Sequence, residues 1–182
     1  MFNKGNGKVI WLFGRPCSGK TTIANCIAIE LKEMGVLAIT LDGDEMRSGL
    51  NSDLGYSLID RYENIRRASE LARILAKKGF WVVCSFITPT NAMRNLVEDI
   101  NYESELKLIY IYASLAVCKE RDVKGHYSKV ANGQLSNFTG ISSPFEDPDS
   151  ESNIINTNVI NIQETTKKCL SLICNSLNEF IF

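Results

Sequence analysis

Residues 14–21 read GRPCSGKT and lie between an apolar run at 8–14 and an amphipathic run that begins at residue 21. This is a complete G-x-x-x-x-G-K-[ST] motif in the strand–loop–helix setting that a phosphate-binding loop requires. Its glycines let backbone N–H groups turn inward around phosphates, and the following helix N-terminus adds positive potential. Lys20 is expected to reach the β- and γ-phosphates of ATP, and Thr21 to coordinate Mg²⁺. The stretch therefore predicts a P-loop fold.

The whole loop and the residue after it are expected to line the ATP site. This set comprises Gly14, Arg15, Pro16, Cys17, Ser18, Gly19, Lys20, Thr21 and Thr22. Cys17 lies near a helix N-terminus and a lysine, and both lower the pKa of a thiol. This predicts a reactive thiol inside the ATP site that bound ATP protects from alkylation; a shielded and inert cysteine is the open alternative.

Outward from the loop, apolar runs alternate with helical patterns. Strands are predicted at residues 8–14, 36–43, 80–87, 106–113 and 154–157, with 159–162 as an extension of the last, and helices at 21–35, 57–79, 91–100 and 165–180. This alternation indicates an α/β fold, a P-loop NTPase-type parallel sheet with helices on both faces. Ligands of such sheets bind at the carboxyl ends of the strands. We predict one kinase domain over 1–182, with an acceptor loop at 41–64 and a mobile lid at about 121–146.

The composition excludes several classes of partner. The chain has 182 residues with a formal net charge of −1, so no global basic field predicts nucleic-acid binding. No segment approaches the roughly 20 apolar residues that cross a membrane. The six cysteines contain no C-x-x-C pair. Free thiols in a reducing cytoplasm are therefore expected, rather than disulfides or metal ligands.

A charged stretch, LDGDEMRSGLNSDLGYS at 41–57, follows the second predicted strand. Asp42 and Asp44 at the strand end are suited to hold a Mg²⁺-bound water or to take the proton of an attacking hydroxyl. Arg47 and Arg61 flank the loop and could converge on an anionic substrate, while Tyr56 offers a ring for base stacking. No N-K-x-D string indicates a GTPase. The sequence thus favours a small phosphotransferase that binds ATP and a small anionic acceptor.

Residues 41–67, LDGDEMRSGLNSDLGYSLIDRYENIRR, closely resemble the signature of the adenylyl-sulfate kinases. SFITP at 85–89, RDVKG-Y at 121–127 and NFTGISSPFEDP at 137–148 resemble further motifs of that family, in the same order. The likeness runs from about residue 7 to residue 157. It implies a Mg²⁺- and ATP-dependent enzyme, commonly a homodimer, that phosphorylates the 3′-hydroxyl of adenosine 5′-phosphosulfate to give 3′-phosphoadenosine 5′-phosphosulfate.

The resemblance also implies a role for individual residues. It makes Lys20, Asp42 and Asp44 catalytic, with Mg²⁺ held by Thr21 and, through water, by Asp44. It adds Arg121 to the ATP site and implies an aromatic pair, Tyr56 and Phe138, around the acceptor's adenine. The acceptor set comprises Asp42, Arg47, Tyr56, Arg61, Asn64, Ile87, Thr88, Lys124 and Phe138.

Three departures from the family pattern concern the acceptor and the phosphate loop. Thr90 and Asn91 follow Pro89 where an aromatic is usual, His126 stands where Leu is usual, and R-P-C at 15–17 replaces small residues. A related kinase acting on the sugar hydroxyl of another nucleotide, such as cytidine diphosphoramidate in capsule synthesis, therefore remains open. A non-catalytic nucleotide-binding domain is a further alternative, which the complete set Lys20, Thr21, Asp42 and Asp44 opposes.

Overall fold

A computed structural model of the protein describes residues 7–148 and 153–174. Its centre is a five-stranded parallel sheet in the order β2-β3-β1-β4-β5. The strands are β1 (Lys8–Phe13), β2 (Ala38–Asp42), β3 (Trp81–Ser85), β4 (Glu105–Tyr112) and β5 (Asn153–Asn156). The predicted parallel α/β sheet is thereby confirmed.

Seven helices accompany the sheet in the described part of the chain. They are α1 (Lys20–Glu33), α2 (Gly43–Ser48), α3 (Leu58–Ala76), α4 (Asn91–Ile100), α5 (Leu115–Glu120), α6 (His126–Ala131) and α7 (Ile162–Ile173). The apolar side chains of α1 and α7 form one core on one face of the sheet, and those of α3 and α4 form a second core on the other face.

The alternation of side chains along β1 shows how one strand serves both cores. Ile10 and Leu12 belong to the core with α1 and α7, whereas Val9, Trp11 and Phe13 belong to the core with α3 and α4. Successive side chains of a strand point to opposite faces, so a strand covered on both sides is apolar at every position. The run VIWLF is therefore that of the central strand.

Local capping signals set several helix starts. Ser57 and Asp60 form the capping box that the sequence predicts at the start of α3. Ser114 accepts a hydrogen bond from the backbone N–H of Val117 and starts α5, a helix that the sequence analysis did not predict. Its six residues carry too little periodicity to be detected.

Two other regions differ from expectation. Residues 43–48 form α2 within the predicted loop, because the Asp42 carboxylate caps that helix. Residues 159–162 form no strand; Asn161 caps α7, which therefore begins three residues before the predicted start. Of the helix predicted at 165–180, residues 175–180 lie outside the described residues.

Parallel pairing brings the carboxyl ends of the strands to one edge of the sheet. The phosphate loop follows β1, Asp42 ends β2, and Ser85 ends β3 directly opposite Asp42 in the strand register. Sequence-distant polar groups thus meet at this edge, which is where α/β sheets bind ligands. Within the described residues, none of the helices has both the length and the apolar character to cross a membrane.

We predict that Ile27→Ala lowers the free energy of unfolding by about 2–5 kcal/mol, because the Ile27 side chain on α1 is fully buried in the core against the sheet and its truncation leaves a cavity. Ile29→Ala is the matched control on the same helix, because Ile29 is 56% exposed, and we expect a change within about 0.5 kcal/mol. Urea unfolding followed by circular dichroism measures both. Equal losses in the two variants would contradict the assignment of this core.

Candidate active site

A cavity of about 810 Å³ opens at the carboxyl edge of the sheet. Its walls come from the phosphate loop, α2, the start of α3, the segment after β3 and the lid. Pockets of this size suit nucleotide-sized molecules. Of the predicted site residues, those that line it are Pro16, Cys17, Lys20, Thr21, Asp42, Asp44, Arg47, Tyr56, Arg61, Asn64, Ile87, Thr88, Arg121, Lys124 and Phe138.

The phosphate loop requires glycine at its first position. Gly14 has φ +150°, and an added Cβ would lie 2.4 Å from the carbonyl oxygen of Ile111 on β4. Its N–H donates to the carbonyl of Ile87. The loop then turns with Ser18 buried, and it leads through Gly19 into α1, where Thr22 is exposed. The close approach of two backbones explains why no side chain is tolerated at Gly14.

Lys20 is a buried cation with neutral partners. Its Nζ donates to the carbonyl oxygen of Arg15 at 2.7 Å and contacts the Ser18 hydroxyl at 3.4 Å. Within the described residues no carboxylate lies within 4 Å of it. Burial lowers the pKa of Lys20 to about 8, against a smaller opposing effect of nearby acidic groups. An incoming phosphate would supply the counter-charge that the protein does not.

Thr21, Asp42 and Ser85 form a cluster of oxygen atoms beside the phosphate loop. The Thr21 hydroxyl donates to Asp42 Oδ2 at 2.8 Å and lies 3.1 Å from Ser85 Oγ. Asp42 Oδ1 accepts the backbone N–H of Asp44 at 2.8 Å. Hydroxyl and carboxylate oxygens are the ligands that Mg²⁺ prefers. The donor set therefore fits a nucleotide-bound magnesium ion.

Asp44 occupies a different place from the one expected of a magnesium-linked acid. Its carboxylate is largely exposed and pairs with Lys124 of the lid at 3.1 Å. Asp42, rather than Asp44, contacts Thr21. The cap of α2 causes this, because it turns the backbone after Asp42 and directs Asp44 toward the lid. The pair Asp44 and Lys124 spans the mouth of the cavity.

Arg47 and Arg61 converge from the two ends of the acceptor loop. Arg47 donates to the carbonyl of Gly55 at 2.6 Å, and Arg61 donates to the carbonyls of Tyr56 at 3.1 Å and Asn137 at 2.6 Å. Their guanidinium groups lie 4.8 Å and 5.7 Å from the centre of the Tyr56 ring. Burial lowers the pKa of both, and within the described residues neither has a carboxylate within 4 Å.

Tyr56 and Phe138 line the same cavity but have different environments. Tyr56 is 58% exposed and already stacks with cations. Phe138 is buried against the edge of Tyr127, with ring centres 4.8 Å apart, and lies near His126. The Tyr56 ring is thus more accessible to a ligand than the Phe138 ring is.

Thr88 lines the cavity beside Ile87, where the family resemblance puts it next to an acceptor. It is buried, has φ +44°, and its Oγ1 accepts the indole N–H of Trp11 at 2.9 Å. The carbonyl of Thr88 accepts from Arg94. A β-branched residue rarely adopts a positive φ, so these contacts hold a strained turn. Thr88 therefore shapes the wall beside Ile87, and its hydroxyl is already engaged inside the protein.

The lid is folded onto the phosphate loop and has a small core of its own. Its buried members are Ala113, Cys118, Tyr127 and Phe138, with Cys17 packed against them. Arg121 donates two hydrogen bonds to Thr157 after β5, and the Asp122 carboxylate accepts the N–H of Tyr127. The segment that the sequence analysis predicts as irregular thus contains α6 and a defined anchor.

The residues that depart from the family pattern in the phosphate loop all contact the lid. Arg15 stacks on Phe145 at 4.7 Å and lies 3.6 Å from Asp147. The Tyr127 hydroxyl donates to the carbonyl of Pro16 at 3.2 Å, and the Cys17 thiol approaches the Asp122 carboxylate at 3.8 Å. The R-P-C sequence therefore forms part of the surface on which the lid rests.

Cys17 was expected to have a lowered pKa, and this expectation is wrong. Burial raises the pKa of the thiol, the charge of Asp122 raises it further, and Lys20 opposes both only in part. Proximity to a lysine is visible in the sequence, but the approach of a lid carboxylate is not. A thiol with a raised pKa has little thiolate at neutral pH and reacts slowly.

Ser85 lines the cavity, and Asn51 and Tyr127 support it from behind, although no role was assigned to these three residues. Ser85 stands opposite Asp42 in the strand register, which a correct pairing of β2 with β3 would have revealed. Asn51 donates from Nδ2 to Asn64 Oδ1 at 2.9 Å and is fully buried. Contacts of this kind join sequence-distant residues and leave no local signal.

Comparison with known proteins identifies the family. The model of the adenylylsulphate kinase family matches residues 6–156. The adenylyl-sulfate kinase of Bacillus velezensis is 42% identical over 175 residues, which are 96% of this chain and 89% of that protein. A structure of the Mycobacterium tuberculosis APS kinase CysC in complex with AMPPNP and APS matches with a TM-score of 0.89 and 35% identity, over 92% of this chain and 98% of that one. A gluconokinase from Sinorhizobium meliloti, 18% identical with a TM-score of 0.66, shares the fold. The chain belongs to the adenylylsulphate kinase family.

Proposed function

We propose that this protein is an ATP-dependent kinase that phosphorylates the 3′-hydroxyl of adenosine 5′-phosphosulfate. The observation that carries the proposal is a pair of guanidinium groups, those of the partly buried Arg47 and the buried Arg61, whose hydrogen-bond partners are neutral carbonyls. They share one cavity with a complete phosphate loop. A second anion site beside an ATP site suits a kinase with an anionic acceptor. The relative from Mycobacterium tuberculosis, whose structure contains AMPPNP and APS, supports this choice of acceptor.

On the donor side, the phosphate loop would hold the ATP phosphates with Lys20 at the transferring group. Thr21 and Asp42 would hold Mg²⁺, Asp42 through water, because they form the oxygen cluster beside the loop. The bound ion would neutralise charge on the β- and γ-phosphates. Arg121, which is anchored to Thr157 at the start of the lid, would contribute to binding ATP. The loops at 14–21 and 41–64 and the lid at 121–146 would then work as one kinase unit.

On the acceptor side, Arg47, Arg61 and Asn64 would bind the phosphosulfate and sugar, and the base would lie against Tyr56 and Phe138. Asp44 would take the proton of the 3′-hydroxyl while that oxygen forms its bond to the γ-phosphorus. The bond from the γ-phosphorus to the bridging oxygen would break, and ADP would leave. Lys124, which pairs with Asp44, would stabilise the negative charge on the phosphoryl group during its transfer.

The alternative acceptor, a nucleotide such as cytidine diphosphoramidate, is favoured by one observation. Thr90, which stands where the family has an aromatic, is buried and caps α4 through its hydroxyl. This position therefore supplies no ring beside the acceptor. Stacking alone does not distinguish adenine from cytosine.

Two further properties follow from the family resemblance and stay predictions. A homodimer is proposed, and exposed apolar side chains at the start of α3, Leu58, Ile59 and Tyr62, offer a surface for such a contact. The cytoplasm is proposed as the location, in agreement with the free cysteines among the described residues. Light scattering would decide the first, and fractionation the second.

The acceptor is tested by offering the purified protein MgATP with either adenosine 5′-phosphosulfate or cytidine diphosphoramidate. We expect rapid release of ADP with the first compound and a product phosphorylated on the 3′-hydroxyl, identified by mass spectrometry and NMR. Lys20→Ala is the control and should lower turnover by about 100-fold or more, because it removes charge stabilisation of the transferring group. Turnover of only the cytidine compound would establish the alternative acceptor, and ADP release with neither would remove the kinase proposal.

The affinity for ATP should depend on pH through Lys20. Its pKa in the free protein is about 8, so the side chain is charged below pH 8 and loses its proton above it. A bound phosphate favours the charged form, so above pH 8 binding must first recapture a proton, and the apparent Kd should rise by up to about tenfold per pH unit. Titration calorimetry from pH 7 to 9.5 measures this. Lys20→Arg keeps its charge and should give a flat profile; a flat profile in the unchanged protein would contradict the assignment.

Arg47→Ala should lower kcat/KM for the acceptor by about 10- to 150-fold, the equivalent of 1.5–3 kcal/mol for a lost charged hydrogen bond. The dissociation constant for ATP should change less than about twofold, because Arg47 lies on the acceptor side. Arg66→Ala is the control, since Arg66 is a partly exposed arginine already paired with Glu63, and we expect it to be near neutral. A larger effect on ATP than on the acceptor would show that Arg47 serves the donor.

A further inference from the structure

Asn51 and Asn64 form a buried pair of amides at the acceptor side of the cavity. Asn51 has no exposed surface and Asn64 is 4% exposed. The Asn51 Nδ2 group donates to Asn64 Oδ1 at 2.9 Å. Asn64 lines the cavity and stands one helical turn after Arg61 on α3. The amide of Asn51 therefore touches a residue of the proposed acceptor site from behind.

The backbone of Asn51 is fixed from two sides. Its N–H donates to the carbonyl of Met46 on α2 at 2.8 Å, and its own carbonyl accepts the N–H of Leu54 at 3.1 Å. The side chain then crosses to α3. Asn51 thus connects α2, which carries Asp44, with the helix that carries Arg61 and Asn64. Asn51 therefore lies behind the cavity and joins the two walls that an acceptor would contact.

Stability alone does not explain an asparagine at this position. The Asn51 Oδ1 atom is buried and has no hydrogen-bond partner in the described part of the protein. A buried polar atom without a partner disfavours folding, so an apolar side chain of the same size would suit a purely structural role better. What the amide provides is one directed donor toward Asn64.

That donor fixes which group Asn64 presents to a ligand. An asparagine side chain has one oxygen acceptor and one NH₂ group with two donors. The bond from Asn51 takes one of the two lone pairs of Oδ1 and holds that atom toward Asn51, so the NH₂ group is the end of the amide left for the acceptor. A donor in this place suits the oxygen atoms of a phosphosulfate or a sugar. It opposes a group that itself carries N–H, such as a phosphoramidate.

We propose that Asn51 is a positioning and specificity-determining residue for the acceptor and acts through Asn64. Its hydrogen bond holds the Asn64 amide with the NH₂ group toward the acceptor, so that the site favours oxygen acceptors over N–H donors. This inference rests on the proposed function, which puts the anionic end of the acceptor beside Asn64.

The first experiment compares Asn51→Leu with Asn101→Leu. Leucine keeps the volume of asparagine and removes the donor, so Asn51→Leu should raise the KM for adenosine 5′-phosphosulfate about tenfold and leave the KM for ATP within about twofold. Asn101 is a matched control: it is buried, its Nδ2 donates to Ser69 Oγ at 2.7 Å, and its Oδ1 also has no partner among the described residues. Asn101 does not line the cavity, so the acceptor KM should not change in this control.

The second experiment tests whether Asn51 acts through Asn64. In an Asn64→Ala background, Asn51→Leu should add less than about a twofold change in acceptor KM, because the group that it orients is gone. Asn51→Leu should also lower the preference for adenosine 5′-phosphosulfate over cytidine diphosphoramidate, measured as the ratio of kcat/KM values. Three outcomes would overturn the proposal. They are a rise of the acceptor KM that is equal in both backgrounds, a rise of the KM for ATP as large as that for the acceptor, and an unchanged acceptor KM.

Two measurements keep the outcome clear. If Asn51→Leu does not fold, NMR of the side-chain NH₂ groups of the unchanged protein tests the proposal. Saturation with adenosine 5′-phosphosulfate should shift the Asn64 resonance. An unshifted resonance refutes the proposal. Failure of the proposed function is distinguishable, because then the unchanged protein itself does not phosphorylate adenosine 5′-phosphosulfate. An active unchanged protein with an unaffected Asn51→Leu variant refutes only the role of Asn51.

Discussion

Taking a positive charge out of water without a carboxylate beside it disfavours the folded state, and around one cavity this protein does so fully with Lys20 and Arg61 and in part with Arg47. Each guanidinium or ammonium group has backbone carbonyls as partners, which satisfy its donors but not its charge. Two anionic ligands would provide the missing negative charge, one at the phosphate loop and one at the acceptor loop. The rest of the structure maintains this arrangement: the parallel sheet fixes the phosphate loop, and α2 and α3 fix the arginines.

The lid follows from the same constraint. It contacts the phosphate loop through the Arg15 side chain over Phe145, through the carbonyl of Pro16, and through Cys17, which packs against the core of the lid. Its core is small and includes Phe138, whose ring lines the cavity. Because this core is much smaller than the two cores of the sheet, the mobility of the lid stays a prediction: we expect it to reorganise when phosphates enter. The ion pair between Asp44 and Lys124 links the lid to α2 at the cavity in which phosphoryl transfer is proposed to occur.

Much of the fold and part of the site could be predicted from sequence, and the reasons differ by residue. The phosphate loop, β1 and the cap of α3 depend on local spacing, which is fully visible in the chain. Arg47 and Arg61 could be predicted to line the cavity because they flank the loop that follows β2, and such loops lie at the ligand-binding edge of a parallel sheet. The cap that turns Asp44 away from Thr21, the strained turn at Thr88 and the lid carboxylate beside Cys17 depend on contacts between distant segments. A single sequence gives no signal for these contacts.

Selection of the acceptor has to combine features that are each insufficient alone. An aromatic ring such as Tyr56 stacks on any base, and two arginines attract any anion of suitable size. Neither feature distinguishes a sulfate oxygen from the N–H of a phosphoramidate. An amide of fixed orientation does so, because it presents either a donor or an acceptor and the opposite group is left unpaired. Orientation in turn requires a second buried group that cannot rotate, and Asn51, tied to α2 by its backbone and to Asn64 by its side chain, meets that requirement. Specificity for the anionic end of the acceptor would thus reside behind the wall of the cavity, in a residue that contacts no ligand.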